Sequence, residues 1–232
     1  MKMKENELTV SSRINGNNHV RKDSSLFKRP ENNEPLWTSS PAHNDELKIK
    51  KISAHFREIM LLLGLDLEDN SLQGTPDRVA NMYVKEMFQG LDPKKEPKIT
   101  LFENTFQYNE MLVEKNIRLN SCCEHHFVPI VGKVHVGYFS SGKLIGLSKI
   151  NRIVSYYSKR PQLQERLTEQ IADALKNALS TNDVAVVINA AHMCLTTRGI
   201  TDSDCKTLTS HYSGKFKNEE VKKEFISYLE RG

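Results

Sequence analysis

PQLQERLTEQIADALKNALSTNDVAVVINAAHMCL, residues 161–195, carries two different periods on either side of a break. Leu163, Leu167, Ile171, Leu175 and Leu179 recur at every fourth position, which puts them on one face of a helix starting just after Pro161. Thr181, Asn182 and Asp183 end that pattern, because short polar side chains compete for the hydrogen bonds a helix needs. The run VAVVINAAHMCL that follows is apolar and rich in β-branched residues, and it reads as a buried strand.

Working outward, Ile49, Ile52, Phe56, Ile59 and Leu63 step by three and four from Asp45 to Gly64, which predicts an amphipathic helix. Thr75-Pro76-Asp77 predicts another, with Thr75 as N-cap, Pro76 at the first helical position and an acid in the first turn. Val79, Met82, Tyr83 and Met87 continue it to Gly90. Between Lys98 and Tyr138 lie short strand-like runs, such as Val134, Val136 and Tyr138 alternating with Lys133 and His135, closed by the turn Ser140-Ser141-Gly142. CKTLTSHYS adds a strand, and a charged helix starts at Glu219. This order predicts an α+β fold, with an antiparallel sheet and helices on one face over residues 98–232 and a helical segment over 44–92. Such a sheet has open edges, which invite pairing between subunits.

Of the 232 residues, 38% are hydrophobic and 27% charged, an ordinary balance for a globular chain. The net charge of +4 is spread among nearly as many acids, which argues against nucleic acid as a partner. No apolar run approaches the roughly 20 residues of a membrane span. Four cysteines, two of them adjacent, do not form a disulfide framework and fit a reducing, cytoplasmic compartment. Residues 1–43 are rich in Asn, Ser, Lys, Glu and Pro and read as a disordered tail. Glu5, Glu7 and Asp23 make a transit peptide the weaker reading.

SCCEHH, residues 121–126, holds the candidate metal chemistry. Cys123 and His126 form C-x-x-H, a spacing at which two side chains of a tight turn reach one ion. His192 and Cys194 alternate with Met193 and so point to one side of a strand, and Cys194 is the natural third ligand. That leaves a position for water and keeps His125 and His192 free for proton transfer. A four-ligand structural zinc that adds Cys122 or His125, and a site with no metal, both remain open at this point.

CEHH, GLSKINRIV, RPQLQERLT and HMCLTTRG, with TPDRVA upstream, together resemble the GTP cyclohydrolase I family over Asp45 to Phe225. The resemblance implies one Zn2+ per subunit on Cys123, His126 and Cys194, with His125 and His192 as acid–base groups. It also implies phosphate binding by Ser148, Lys149, Arg152 and Arg198, guanine recognition by Gln164 and Glu165, and an approach of Arg78 from a neighbouring subunit. The implied substrates are GTP and water, and the implied products are formate and 7,8-dihydroneopterin triphosphate. The implied fold is the tunnelling fold, a single catalytic domain over residues 44–232 whose sheets join edge to edge into a barrel, as a decamer of two pentamers. The rival expectation is a non-catalytic, zinc-stabilised assembly module. A zinc nucleobase deaminase is disfavoured because its H-x-E…P-C-x-x-C signature is absent.

Overall fold

The computed structural model describes residues 44–198, 201–202 and 204–231. The polar tail expected over residues 1–43 lies outside the described residues.

Helix α1 (Asp45–Leu62) is capped by Asn44, whose side-chain oxygen accepts from the Leu47 N–H at 2.9 Å. Gly64 takes φ +79° just past its end, a conformation that glycine adopts without steric cost. The expected apolar stripe is only partly covered. Ile49, Ile52 and Phe56 are half-buried, whereas Ile59, Leu62 and Leu63 are 49%, 87% and 71% exposed. Helix α2 (Thr75–Asn81) begins one residue earlier than expected, with Gly74 rather than Thr75 as the cap. The reason is that Thr75 Oγ1 accepts from Arg78 Nη2 at 2.8 Å, not from the backbone of the first turn. α2 then widens into a π-helical stretch, Met82–Met87, closed by the Phe88 N–H on the Tyr83 carbonyl at 2.9 Å.

This helical segment is fastened at Gly90. Its N–H donates to the Lys159 carbonyl at 2.9 Å, and its own carbonyl accepts from Arg160 Nε at 2.8 Å. Arg160 is buried, with its guanidinium 4.5 Å from the ring centroids of both Tyr156 and Tyr157. A Cβ at position 90 would stand 2.1 Å from the Tyr156 carbonyl oxygen, so only glycine permits the approach. Gly90→Ala is therefore expected to destabilise the fold by about 2–3 kcal/mol, the scale of overpacking. An unchanged denaturation midpoint would show that the segment is not held here.

Strands β1 (Leu101–Glu103) and β4 (Lys143–Ile145) form a small antiparallel ribbon. The main sheet has the order β5 (Pro161–Gln162), β2 (Leu112–Cys123), β3 (Pro129–Tyr138), β6 (Val184–His192) and β7 (Thr207–Tyr212). Neighbours are antiparallel except for the short β5, which runs parallel to β2. Helices α3 (Leu147–Ser158) and α4 (Gln164–Leu179) cover one face. Leu167, Ile171, Leu175 and Leu179 of α4 meet Val184, Val186 and Ile188 of β6 there, with Ile150, Ile153 and Val154 of α3 beside them. The fourfold helical stripe and the alternating strand stripe thus share one apolar layer.

The intervening residues of β6, Ala185 and Val187, face the other way. They pack with Phe216 and with Phe225 of helix α6 (Glu219–Glu230), which covers one end of the opposite face. Elsewhere on that face Arg118, Asn120, Lys133, Leu208 and Ser210 are exposed. Both edges of the sheet are open among the described residues. β7 pairs only with β6, and the outer side of β2 is paired only at Cys122 and Cys123. No helix of the described residues is long and apolar enough to cross a membrane.

Candidate metal centre and active site

The sheet register gathers the candidate residues at one end. Cys122 and Cys123, the last residues of β2, pair with Pro161 and Gln162, and Ile130 at the start of β3 pairs with His192 at the end of β6. The turn after β2 is closed by the Cys123 N–H on the Val128 carbonyl (2.8 Å) and the Phe127 N–H on the Cys123 carbonyl (2.9 Å). Phe127 sits at φ +53°, and its ring lies 5.3 Å from that of Phe88 and 6.4 Å from that of Tyr83.

The donor atoms of Cys123, His126 and Cys194 all lie within 4.8 Å of one another. Cys194 arrives by a different route from the strand alternation expected for it. The strand stops at His192, and Cys194 belongs to the single helical turn α5 (Met193–Thr196), which bends it back towards Cys123. Cys123 is buried, Cys194 half-buried and His126 exposed, so the group has a closed side and an open one. Two thiols and an imidazole form a donor set that suits zinc. Burial, and then the neighbouring Cys123, push the Cys194 thiol up, as expected where two thiolates would stand together without a cation between them. Cys122 and His125 are not in the group. Burial, and then Cys123, push the Cys122 thiol up to about 11, which makes it an inert packing residue.

His192 is half-buried, and its Nε2 lies 2.8 Å from Gln164 Oε1. Gln164 is buried, and its amide nitrogen donates to the Thr207 carbonyl (2.9 Å), Thr209 Oγ1 (3.1 Å) and the Ile188 carbonyl (3.3 Å). With the nitrogen turned to two carbonyls, the amide oxygen faces the imidazole, so Nε2 of His192 carries the proton and Nδ1 is left to accept. Burial lowers the pKa of His192, opposed by the Glu165 carboxylate, which favours a neutral ring at physiological pH. Glu165 is exposed in the first turn of α4, and His125 is exposed on the turn, its ring 6.3 Å from that of His126. Arg198 lies close enough to Cys194 for its charge to favour the thiolate.

Ser148 and Lys149 do not join this cluster within one chain. They occupy the first turn of α3, where the Asn151 amide donates to Glu114 near the start of β2. Glu114 lies near the start of β2 and Cys123 is its last residue, with a bulge between Glu114 and Ile117 on the way. Arg152 lines a cleft of about 270 Å³ with Lys95, Tyr156 and Lys159. Arg78 is turned into its own segment, donating to the Ser71 carbonyl at 2.9 Å and to Thr75 Oγ1.

Sequence reading missed Arg166. From the first turn of α4 its Nη2 donates to the Glu124 carboxylate and to the Pro161 carbonyl (3.1 Å), while Nε donates to Gln162 Oε1 (3.1 Å). Arg166 directly follows Gln164 and Glu165, yet its partner lies 42 residues away, and no helical or strand period signals such a pairing.

The GTP cyclohydrolase I family model matches residues 52–230. GTP cyclohydrolase 1 of Flavobacterium johnsoniae is 56% identical over 195 residues, covering 84% of this chain and 87% of the relative. GTP cyclohydrolase 1 of Wigglesworthia glossinidia brevipalpis is 52% identical over 77% of this chain and 83% of its own length, and that of Aeromonas hydrophila subsp. hydrophila 50% over 82% and 88%. Among solved structures, an archaeosine synthase QueF-like chain in the apo form aligns with a TM-score of 0.38 at 19% identity, covering 45% of this chain and 93% of that one. The family match over residues 52–230 and the identity of half or more to these relatives mean that the chain belongs to the GTP cyclohydrolase I family.

Proposed function

We propose that this chain is a zinc-dependent GTP cyclohydrolase: it hydrolytically opens the guanine ring of GTP, releases formate and yields 7,8-dihydroneopterin triphosphate, the first step of pterin biosynthesis. The observation that carries the reading is the convergence of Cys123, His126 and Cys194 within 4.8 Å, beside a histidine that Gln164 holds apart. A structural metal site has no use for such a histidine. These three residues would hold one zinc per subunit, which would supply Lewis-acid activation of water.

The remaining chemistry belongs to the chain. His192, neutral and oriented through Nε2, offers Nδ1 to exchange a proton with the ring nitrogens as the ring opens. His125 is the second acid–base group, on the ribose side. The exposed Glu165 carboxylate accepts from guanine N1–H and the exocyclic amine together, a pair of donors that adenine lacks. Gln164, expected to share guanine recognition, is instead buried with its amide committed to His192, Thr207 and Thr209, so it supports the site from behind by orienting His192. Ser148, Lys149, Arg152, Arg198 and Arg78 supply cations and donors for the triphosphate.

Because Ser148 and Lys149 lie at the far end of the sheet from Cys123, they serve the site of an adjacent copy. The open edges of β2 and β7 and the exposed leucines at the end of α1 are the surfaces that copies would cover. The assembly proposed is a homodecamer of two pentameric rings joined edge to edge into barrels. Four free thiols suit the reducing cytoplasm as its location.

Glu165→Ala tests substrate recognition. Its kcat/KM for GTP is expected to fall by roughly 10²-fold, the scale of losing charge-assisted hydrogen bonds, with selectivity for guanine over other purines lost as well. Unchanged turnover of GTP would remove Glu165 from the site.

A further inference from the structure

Glu124 sits between two of the proposed ligands, Cys123 and His126, and both its backbone and its side chain are held from outside the turn. Its N–H donates to the Gln162 carbonyl at 3.1 Å. Its carboxylate is paired with Arg166, and these side chains are only 21% and 19% exposed, so water and salt screen the pair weakly. Arg166 is itself fixed by the Pro161 carbonyl and by Gln162 Oε1. Gln162 is buried and donates through Nε2 to the Tyr157 carbonyl (2.8 Å) and to Gln170 Oε1 (2.9 Å). A continuous set of hydrogen bonds therefore runs from the core side of α4 to the middle of the ligand turn.

That turn needs an external hold. Phe127 takes φ +53°, a region that a bulky residue occupies only where its surroundings over-determine the backbone. Cys194 is placed separately, by β6 and α5, so the convergence of the three donors depends on the turn keeping its shape. We propose that Arg166 and Glu124 act together as a positioning pair that holds the Cys123–His126 turn in its metal-binding shape and so slows release of the ion. The proposal rests on the metal reading above. It also gives α4 a double role, since the same first turn steadies His192 through Gln164 and the ligand turn through Arg166.

The test is the rate at which zinc leaves the full-length, zinc-loaded protein for a chromophoric chelator. Glu124→Ala and Arg166→Ala are each expected to release zinc roughly 10–100-fold faster, the usual cost of losing an outer partner of a metal site. The double variant is expected to be no faster than the single ones, because either change already breaks the pair. Glu124→Gln keeps an acceptor for Arg166 and is expected to stay within roughly fivefold of the parent, the gap between a charge-assisted and a neutral acceptor. Release is measured well below the thermal midpoint of each metal-free variant, which loss of a weakly screened pair is expected to lower, with circular dichroism matching that of the metal-free parent, so that faster release reports the ligand turn and not unfolding. Unchanged release from both alanine variants, multiplied effects in the double variant, or equally fast release from Glu124→Gln would overturn the pairing. A parent protein that takes up no zinc would instead remove the metal reading on which the pairing rests.

Discussion

Cys194→Ala protein is expected to purify without stoichiometric zinc and to turn over GTP roughly 10²–10³-fold more slowly at least, the scale of losing a main electrostatic stabiliser of the reaction. Cys123 and His126 lie on one turn, and Cys194 is the donor that links them to the other half of the sheet. Removing it leaves two donors, fewer than a catalytic zinc site uses. Cys194 is half-buried at the margin of the main core, so the variant should fold, with circular dichroism matching that of metal-free parent protein. Metal analysis of the purified variant checks the outcome. Full retention of zinc would strike Cys194 from the ligand set.

A second large effect is expected from mixing two inactive proteins. Lys149→Ala damages the phosphate end of α3, and Cys194→Ala damages the metal end of the sheet, at the other end of β2 in the same chain. If each site takes its metal half from one copy and its phosphate half from the next, random one-to-one reassembly leaves about a quarter of the sites with both halves intact. Activity should therefore rise from near zero in either parent variant to about a quarter of the unmodified value after joint unfolding and refolding. The combined change Lys149→Ala/Cys194→Ala in one chain, mixed with unmodified protein, leaves the same quarter of sites intact and serves as the reassembly control. No recovery in the first mixture, with the control at half the unmodified activity and co-purification of differently tagged copies showing that they mix, would place both halves of the site within one chain.

Much of the fold was legible because two periods carry it. The stripe Leu167, Ile171, Leu175 and Leu179 and the run from Val184 to Ile188 meet in the same apolar layer, so local pattern and packing agree. The convergence of Cys123, His126 and Cys194 was legible for a similar reason, since C-x-x-H is a local spacing and few residue types could complete it. Its geometry was not. Cys194 reaches the group through a helical turn, because the strand ends two residues earlier than alternation through Cys194 requires. The cap of α2 shifted to Gly74 because the hydroxyl of Thr75 is taken by Arg78, a choice that capping preference alone cannot foresee. The apolar stripe of α1 is real but only partly covered, with Ile49, Ile52 and Phe56 half-buried and Ile59 and Leu63 exposed, because periodicity marks an apolar face without saying how much of it is packed. Arg166 was invisible because its value lies in a pairing between the start of α4 and a turn 42 residues earlier.

The decisive experiment incubates purified, zinc-loaded protein with GTP and follows formate together with the ultraviolet absorbance of a dihydropterin. Both are expected to rise in equal amounts, stop on chelation and resume when zinc is restored. Stoichiometric zinc with neither signal, and GTP recovered unchanged, would contradict the cyclohydrolase reading and leave a zinc-stabilised assembly module in its place.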